Sequence, residues 1–207
     1  PAQASARVHV VETFTTAISG LNHLFHGNVD FKLFFRLLIP GMIGGVTGAY
    51  LLTHIDGAVV KPFVLAYLVG IGLWLLVRGI LYPPKIMKPK LVEPLGLIGG
   101  FLDAAGGGGW GPVVTSNLLV QGAEPRKVVG TVNSVEFFLT LTISAAFISQ
   151  LGFADVAGAT LGLLIGGVIA APFGAIMAKR MSPKVMLILV GIVLSITSAW
   201  SLYRTLG

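Results

Sequence analysis

Residues 103–112 read DAAGGGGWGP, an acid and four consecutive glycines followed by Trp-Gly-Pro, inside an otherwise apolar run. Each glycine in a helix interior costs about 0.8–1 kcal/mol relative to alanine, so Gly106–Gly109 break the helix that hydropathy favours. Pro112 suits the first position of a new helix, where its missing N–H is of no consequence. A helix restarting there aims its positive end, and the free amides of Gly108, Gly109, Trp110 and Gly111, at one spot. The chemistry this pattern predicts is anion binding. Trp110 is expected to wall the spot, with Thr115, Ser116 and Asn117 offering donors one turn in. Asp103, just before the glycines, is placed to bond the loop or sense a substrate. Its charge would repel an anion, so it is expected turned away or protonated. Close helix packing is the other use of glycine in membranes, and Gly44-xxx-Gly48 and Gly158-xxx-Gly162-xxx-Gly166 are read that way. The formal match of Gly106-x-Gly108-x-x-Gly111 to a dinucleotide fingerprint is rejected, because no strand precedes it.

A second polar pattern lies at the N-terminal end. Ser5, His9, Glu12, Thr16, Ser19 and His23 fall within about 80° of arc on a helix, one continuous face. Asn133, Glu136, Thr140 and Ser144 repeat that face further on. A carboxylate inside a membrane costs at least about 2.5 kcal/mol and faces the protein interior. Glu12 and Glu136 therefore have two open roles, as proton carriers or as structural acceptors for the broken segment. Both are expected nearer the membrane surface than its centre. His23 and His26 are read as interfacial and only His9 as deep, so no metal site is expected. Nor is a cofactor.

The elements that must carry these residues follow from composition. The chain has 207 residues, 55% hydrophobic and only 11% charged, with a mean hydropathy of +0.89. Soluble domains carry about 25% charged residues. Uncharged runs such as Leu37–Thr53 and Val185–Tyr203 approach the ~20 residues that cross a bilayer. The predicted class is an all-α polytopic membrane protein. The net charge of +6 needs only basic loops, not nucleic acid. The absence of cysteine excludes thiolate sites, thiol nucleophiles and disulfides.

Charged and proline-bearing breaks predict helices near 5–25, 34–53, 60–81, 128–149, 156–178 and 185–204, with the interrupted stretch 94–121 between them. Residues 1–16 align on 125–140 with Pro, Val, Val, Glu, Phe and Thr in common, pairing His9 with Asn133, Glu12 with Glu136 and Thr16 with Thr140. The chain is thus read as a duplication. Residues 1–81 form one copy of three spanning helices, 82–93 a cytoplasmic linker, and 94–207 a second copy opened by the broken hairpin 94–121. The first copy lacks its hairpin, so an N-terminal part of the native protein is expected to be absent. If 94–121 is re-entrant, eleven Lys and Arg gather on one side (32, 36, 78, 85, 88, 90, 126, 127, 179, 180 and 184) against Arg7, Lys61 and Arg204 on the other. That is a positive-inside pattern. It makes the copies inverted-topology repeats, the architecture of secondary transporters.

Two segments carry a resemblance. VHVVETFTTAISGLNHLFHGNVDFKLFFRLLIPGMIGGVTGAYLLT and GLIGGFLDAAGGGGWGPVVTSNLL resemble the sulfite exporter TauE/SafE family of bacterial membrane permeases, with His9, Glu12, Thr16 and Gly27-Asn28-Val29-Asp30 matching one subgroup. The resemblance implies export of sulfite, an organosulfonate or a related small sulfur oxyanion across the bacterial cytoplasmic membrane. It implies a site between the inverted repeats. The expected substrate-binding residues are Gly108, Gly109, Trp110, Gly111, Thr115, Asn117, Asn133 and His9. Glu12, Glu136, Asp103, Thr16 and Thr140 would couple transport, with protons as the candidate ion, or steady the loops. A divalent cation permease using Glu12, Glu136, Asp103 and His9, and a passive anion channel, are the alternatives. An enzyme is not expected, since no HExxH and no nucleophile beside a base occur.

Overall fold

The computed structural model describes residues 2–52, 57–81, 87–106, 109–152 and 179–206, and positions 169, 173, 176 and 177 between the last two stretches. The order is α1 (Ala2–Phe25), α2 (Phe31–Leu52), α3 (Gly57–Leu81), α4 (Val92–Gly106), a π-helical turn (Gly111–Thr115), α5 (Ser116–Val120), α6 (Pro125–Leu151) and α7 (Pro183–Leu206). The predicted helix 156–178 lies almost wholly outside the described residues, as do Gly158, Gly162 and Gly166.

Local chemistry sets the breaks. Gly27 has φ +65° and ends α1, with Asn28 N–H donating to His23 O at 2.9 Å. Gly122, φ +89°, ends α5 the same way, with Ala123 N–H on Leu118 O at 3.0 Å. This six-to-one closure needs a left-handed residue, and glycine supplies it at least cost. Asp30 starts α2, its Oδ1 accepting the N–H groups of Lys32 at 2.9 Å and Leu33 at 3.2 Å, the N-cap bond that satisfies orphan amides.

Segments Phe31–Leu52, Lys61–Leu81, Pro125–Leu151 and Pro183–Leu206 are long and apolar enough to cross a membrane. Their outer faces expose Phe35, Ile39, Phe63, Trp74, Ile196 and Trp200, as a lipid-facing surface does. The interior packs Leu37, Trp110, Val114, Leu118, Leu139, Ile143 and Phe147. The protein is an all-α polytopic membrane protein.

Three helix pairs fix the layout. Along α1 and α6, Gly20 abuts Ser134 while His9 lies beside Phe147, so the two run antiparallel. Along α3 and α7, Gly72 meets Ser195 and Gly79 meets Ile188, again antiparallel. α2 and α4 run parallel, Gly44 against Leu97 and Gly48 against Phe101. A Cβ on Gly44 would lie 2.0 Å from Leu97 O and one on Gly100 2.2 Å from Gly41 O, so the packing reading of Gly44-xxx-Gly48 is the correct one.

The interrupted segment turns back on itself. Met87 N–H donates to Gly122 O at 2.7 Å, and Leu91 N–H to Gln121 Oε1 at 3.1 Å, so entry and exit lie together. α4 has 15 residues, about 22 Å of helix, more than half the thickness of a ~30 Å bilayer. Basic side chains gather at the open end. Arg36 binds Glu93 at 2.6 and 3.0 Å, Arg78 donates to the last carbonyls of α5 at Leu119 and Val120, and Lys127 donates to Gly27 O at 2.8 Å.

Candidate functional site at the hairpin tip

Asp103 organises the tip. It sits in the last turn of α4, 1% exposed, and its Oδ1 accepts two successive backbone N–H groups, Gly109 at 2.6 Å and Trp110 at 2.8 Å. Two convergent amides on one oxygen form the anion-binding concavity that turn geometry allows. Here a carboxylate of the chain itself fills it. Of the expected roles for Asp103, bonding the loop is the one found; it is not turned away from these amides. The glycine gap lets the chain reverse and present them to the carboxylate that precedes it.

Trp110 is fully buried rather than a wall of an open site. Its ring fits where Gly41 of α2 and Gly99 of α4 leave room, and its Nε1–H donates to Val132 O at 3.1 Å. The helix then restarts as a π turn, with Pro112 at its second residue, Val113 N–H on Gly109 O at 3.0 Å and the Ser116 hydroxyl bonding back to Pro112 O. π geometry is often found at functional sites.

The polar face of α1 meets this tip. His9, 0% exposed, places Nε2 3.2 Å from Asp103 Oδ2 and Nδ1 2.7 Å from Ser5 O. The Ser5 hydroxyl donates to Ala104 O at 2.8 Å, a second stitch between α1 and α4. Glu12 lies one turn along, with Oε2 buried and without a hydrogen-bond partner among the described residues. Glu136 approaches from α6, where a Cβ on Gly111 would sit 3.8 Å from its Oε1. By the helix bounds both glutamates lie near mid-helix, deeper along their helices than the turn or two in that the sequence suggested.

His9, Glu12, Asp103, Gly109, Trp110, Gly111 and Glu136 are therefore brought together. The remaining candidates are not. Thr16 and Thr140 bond back to Glu12 O and Phe137 O of their own helices, at 2.5 and 3.1 Å. Asn133 accepts from Ser19 at 3.0 Å, tying α6 to α1. Asn117 accepts from Tyr67 of α3 at 2.7 Å and lines a cavity of about 440 Å³ with Tyr67, Gln121 and Leu95. Thr115 is half-buried in the π turn. Gly108 lies outside the described residues. Sequence reasoning missed Tyr67 and the bond from Ser5 to the tip. Ser5 stood on the polar face, whereas Tyr67 sits alone in an apolar helix with no periodic signal.

The chain matches the sulfite exporter TauE/SafE family over residues 1–201. It belongs to that family. It is 44% identical over 200 residues to a protein of Bacillus subtilis (strain 168) described as probable membrane transporter protein YtnM, covering 92% of this chain and 67% of that one. No solved structure matches. This TauE/SafE chain is a membrane transporter, and the hairpin tip is the part of it where broken backbone, buried charge and a helix start converge.

Proposed function

We propose that this chain exports a small sulfur oxyanion, sulfite or an organosulfonate, across the bacterial cytoplasmic membrane by alternating access, with its substrate site at the hairpin tip. One observation carries the reading: two successive amides, on Gly109 and Trp110, converge at 2.6 and 2.8 Å on one carboxylate oxygen. A receptor that holds Asp103 this way fits the singly bonded oxygens of a sulfite or sulfonate equally well. His9, Gly111 and Glu136 belong to the same tip and would orient the substrate, with Thr115 at the far end of the adjoining π turn. Gly108 belongs to the same loop by sequence. Asn133 and Asn117 would line the route to the site, Asn117 from the Tyr67 cavity.

The duplication supports alternating access. Its repeat mates α1 and α6 run antiparallel, as do α3 and α7, which is the relation that inverted repeats require. The basic open end, carrying Arg36, Arg78 and Lys127, would face the cytoplasm. A cation permease is less well supported, because both ring nitrogens of His9 are already engaged, by Ser5 and Asp103.

The test is counterflow in liposomes holding the purified protein. Saturable uptake of labelled sulfite or sulfoacetate, competed by the other and not by chloride or Zn²⁺, is expected. Uptake that never saturates would mean a channel, and metal-dependent protection alone would overturn the anion reading.

A further inference from the structure

The bonding at His9 contains a count of protons. Ser5 O is a carbonyl and only accepts, so the Nδ1 atom 2.7 Å from it carries hydrogen. The Ser5 hydroxyl, 3.4 Å from Nδ1, has its own hydrogen committed to Ala104 O. The contact between Nε2 and Asp103 Oδ2 at 3.2 Å then needs one more proton. Either imidazolium faces carboxylate or neutral imidazole accepts from a carboxylic acid, and the pair is neutral overall in both cases. Without that proton two acceptors face each other in a fully buried site, bearing one net negative charge, and the contact becomes repulsive.

We propose that the His9–Asp103 contact is a proton-binding latch: one proton held between Nε2 and Oδ2 keeps the hairpin tip on α1, and its departure turns the contact repulsive and frees the tip, with Asp103 still on the Gly109 and Trp110 amides, from α1. In the substrate reading above, on which this step rests, the freed tip is the moving part that opens the site to the transported anion. The charged groups facing the latch are Glu12 of α1 and Glu136 of α6. Glu12 Oε2 is buried with no partner among the described residues, which leaves it open to receive the proton that leaves the pair. The transfer moves one proton, from the latch to a carboxylate oxygen of Glu12 and from there to water. One negative charge stays on the His9–Asp103 pair. A bond that merely stapled α4 to α1 would need no titratable group, and the amide of an asparagine would serve as well.

That difference supplies the test. In Asp103→Asn, Oδ1 still accepts both amides and the Nδ2–H₂ group donates to neutral His9, closing the latch without a proton. In His9→Gln the side-chain amide donates to Asp103 in the same manner. Trp110 reports on the tip: it is fully buried, whereas Trp74 and Trp200 are 57% and 62% exposed and are replaced by Phe in every protein compared. Trp110 fluorescence of the detergent-purified protein is followed between about pH 5 and 9, the range in which a histidine exchanges its proton. A one-proton step with a red shift on the alkaline side is expected in the reference protein, and a flat profile in both variants. A flat profile in the reference protein, or a step that survives in either variant, overturns the latch. Each variant decides alone should the other fail to fold. Liposome counterflow separates the two readings. If the step behaves as expected but no sulfite moves, the latch stands and the substrate reading fails. If sulfite moves while the reference protein shows no step, the reverse holds.

Discussion

Replacing Trp110 with alanine empties the centre of the hairpin junction, where the ring lies fully buried against Gly41 and Gly99. Truncations of buried large aromatics cost about 3–5 kcal/mol, and a loss of that order is expected in thermal unfolding of the detergent-solubilised protein. Trp110→Phe retains most of the packing and removes only the indole bond to Val132 O, a carbonyl inside helix α6, so a smaller loss, of about 0.5–1.5 kcal/mol, is expected. If Trp110 were an exposed wall of the anion site, alanine would lower affinity and leave unfolding unchanged. At this scale the sequence reveals which residues matter better than which way they face. The glycines announce a broken helix and free amides, and Asp103 stands beside them. That the carboxylate takes those amides depends on the chain reversing within six residues, a geometry no hydropathy pattern contains. Trp110 misleads for a related reason. The slot it fills is made by glycines from two other helices.

Glycine contacts decide how the elements dock. Gly44→Ala forces a methyl onto Leu97 O, where a Cβ would lie 2.0 Å away, and backbone cannot yield as a flexible side chain would. A destabilisation of about 1–3 kcal/mol is expected, together with loss of transport, since α2 carries the hairpin. Gly70 in α3 is the control, where an added methyl would meet nothing within 4 Å; Gly70→Ala should be neutral or stabilising by about 0.5 kcal/mol. Equal effects at the two sites, measured by unfolding of each variant, would dissociate glycine content from docking. The open end of the same α2–α4 pair has a pH dependence. Glu93 begins α4 outside the spanning helices, and the hydrogen bond from Arg36 holds its carboxyl down at about 2. A carboxyl so depressed contributes stability fully above its ordinary value near 4.5 and loses it as pH falls towards 2. Glu93→Gln should therefore lower the unfolding temperature slightly at pH 7, with the gap to the native protein closing on acidification. The effect is small because the pair is exposed. Helix positions were legible in the sequence because loops carry the charge: 34–53 was expected and Phe31–Leu52 is found, 185–204 and Pro183–Leu206. Arg78 and Tyr67 were not, because their partners at Val120 and Asn117 lie 42 and 50 residues away.

For the whole molecule, the decisive property is which side each loop occupies, and the absence of cysteine makes it directly measurable. Lys32, Lys88 and Lys184 are exposed, as are Lys61 and Arg204, so single cysteines at these positions will react. With a re-entrant hairpin, α6 starts on the side where α4 starts, and α7 descends beside an ascending α3. Lys32→Cys, Lys88→Cys and Lys184→Cys should then be modified by an impermeant maleimide from one face of the membrane, and Lys61→Cys and Arg204→Cys from the other. Inverted vesicles should exchange the two sets. Were residues 94–121 to cross fully, Lys184→Cys would part from Lys32→Cys while Lys88→Cys stayed with it. That result would also break the charge asymmetry, since the bias on one side depends on Arg126, Lys127, Lys179, Arg180 and Lys184 staying there. Sidedness matters to function because, with α4 entering at the basic face, its length would put the tip past mid-membrane from that face. Asp103 and His9 would then be nearer the water opposite the basic loops, so a proton leaving the latch has its shorter route to that side. In the proposed substrate reading, an anion approaching from the basic face would travel the length of α4 to reach the Gly109 and Trp110 amides. Substrate and proton would thus meet one pair of residues from opposite directions, the arrangement by which a single latch can couple them.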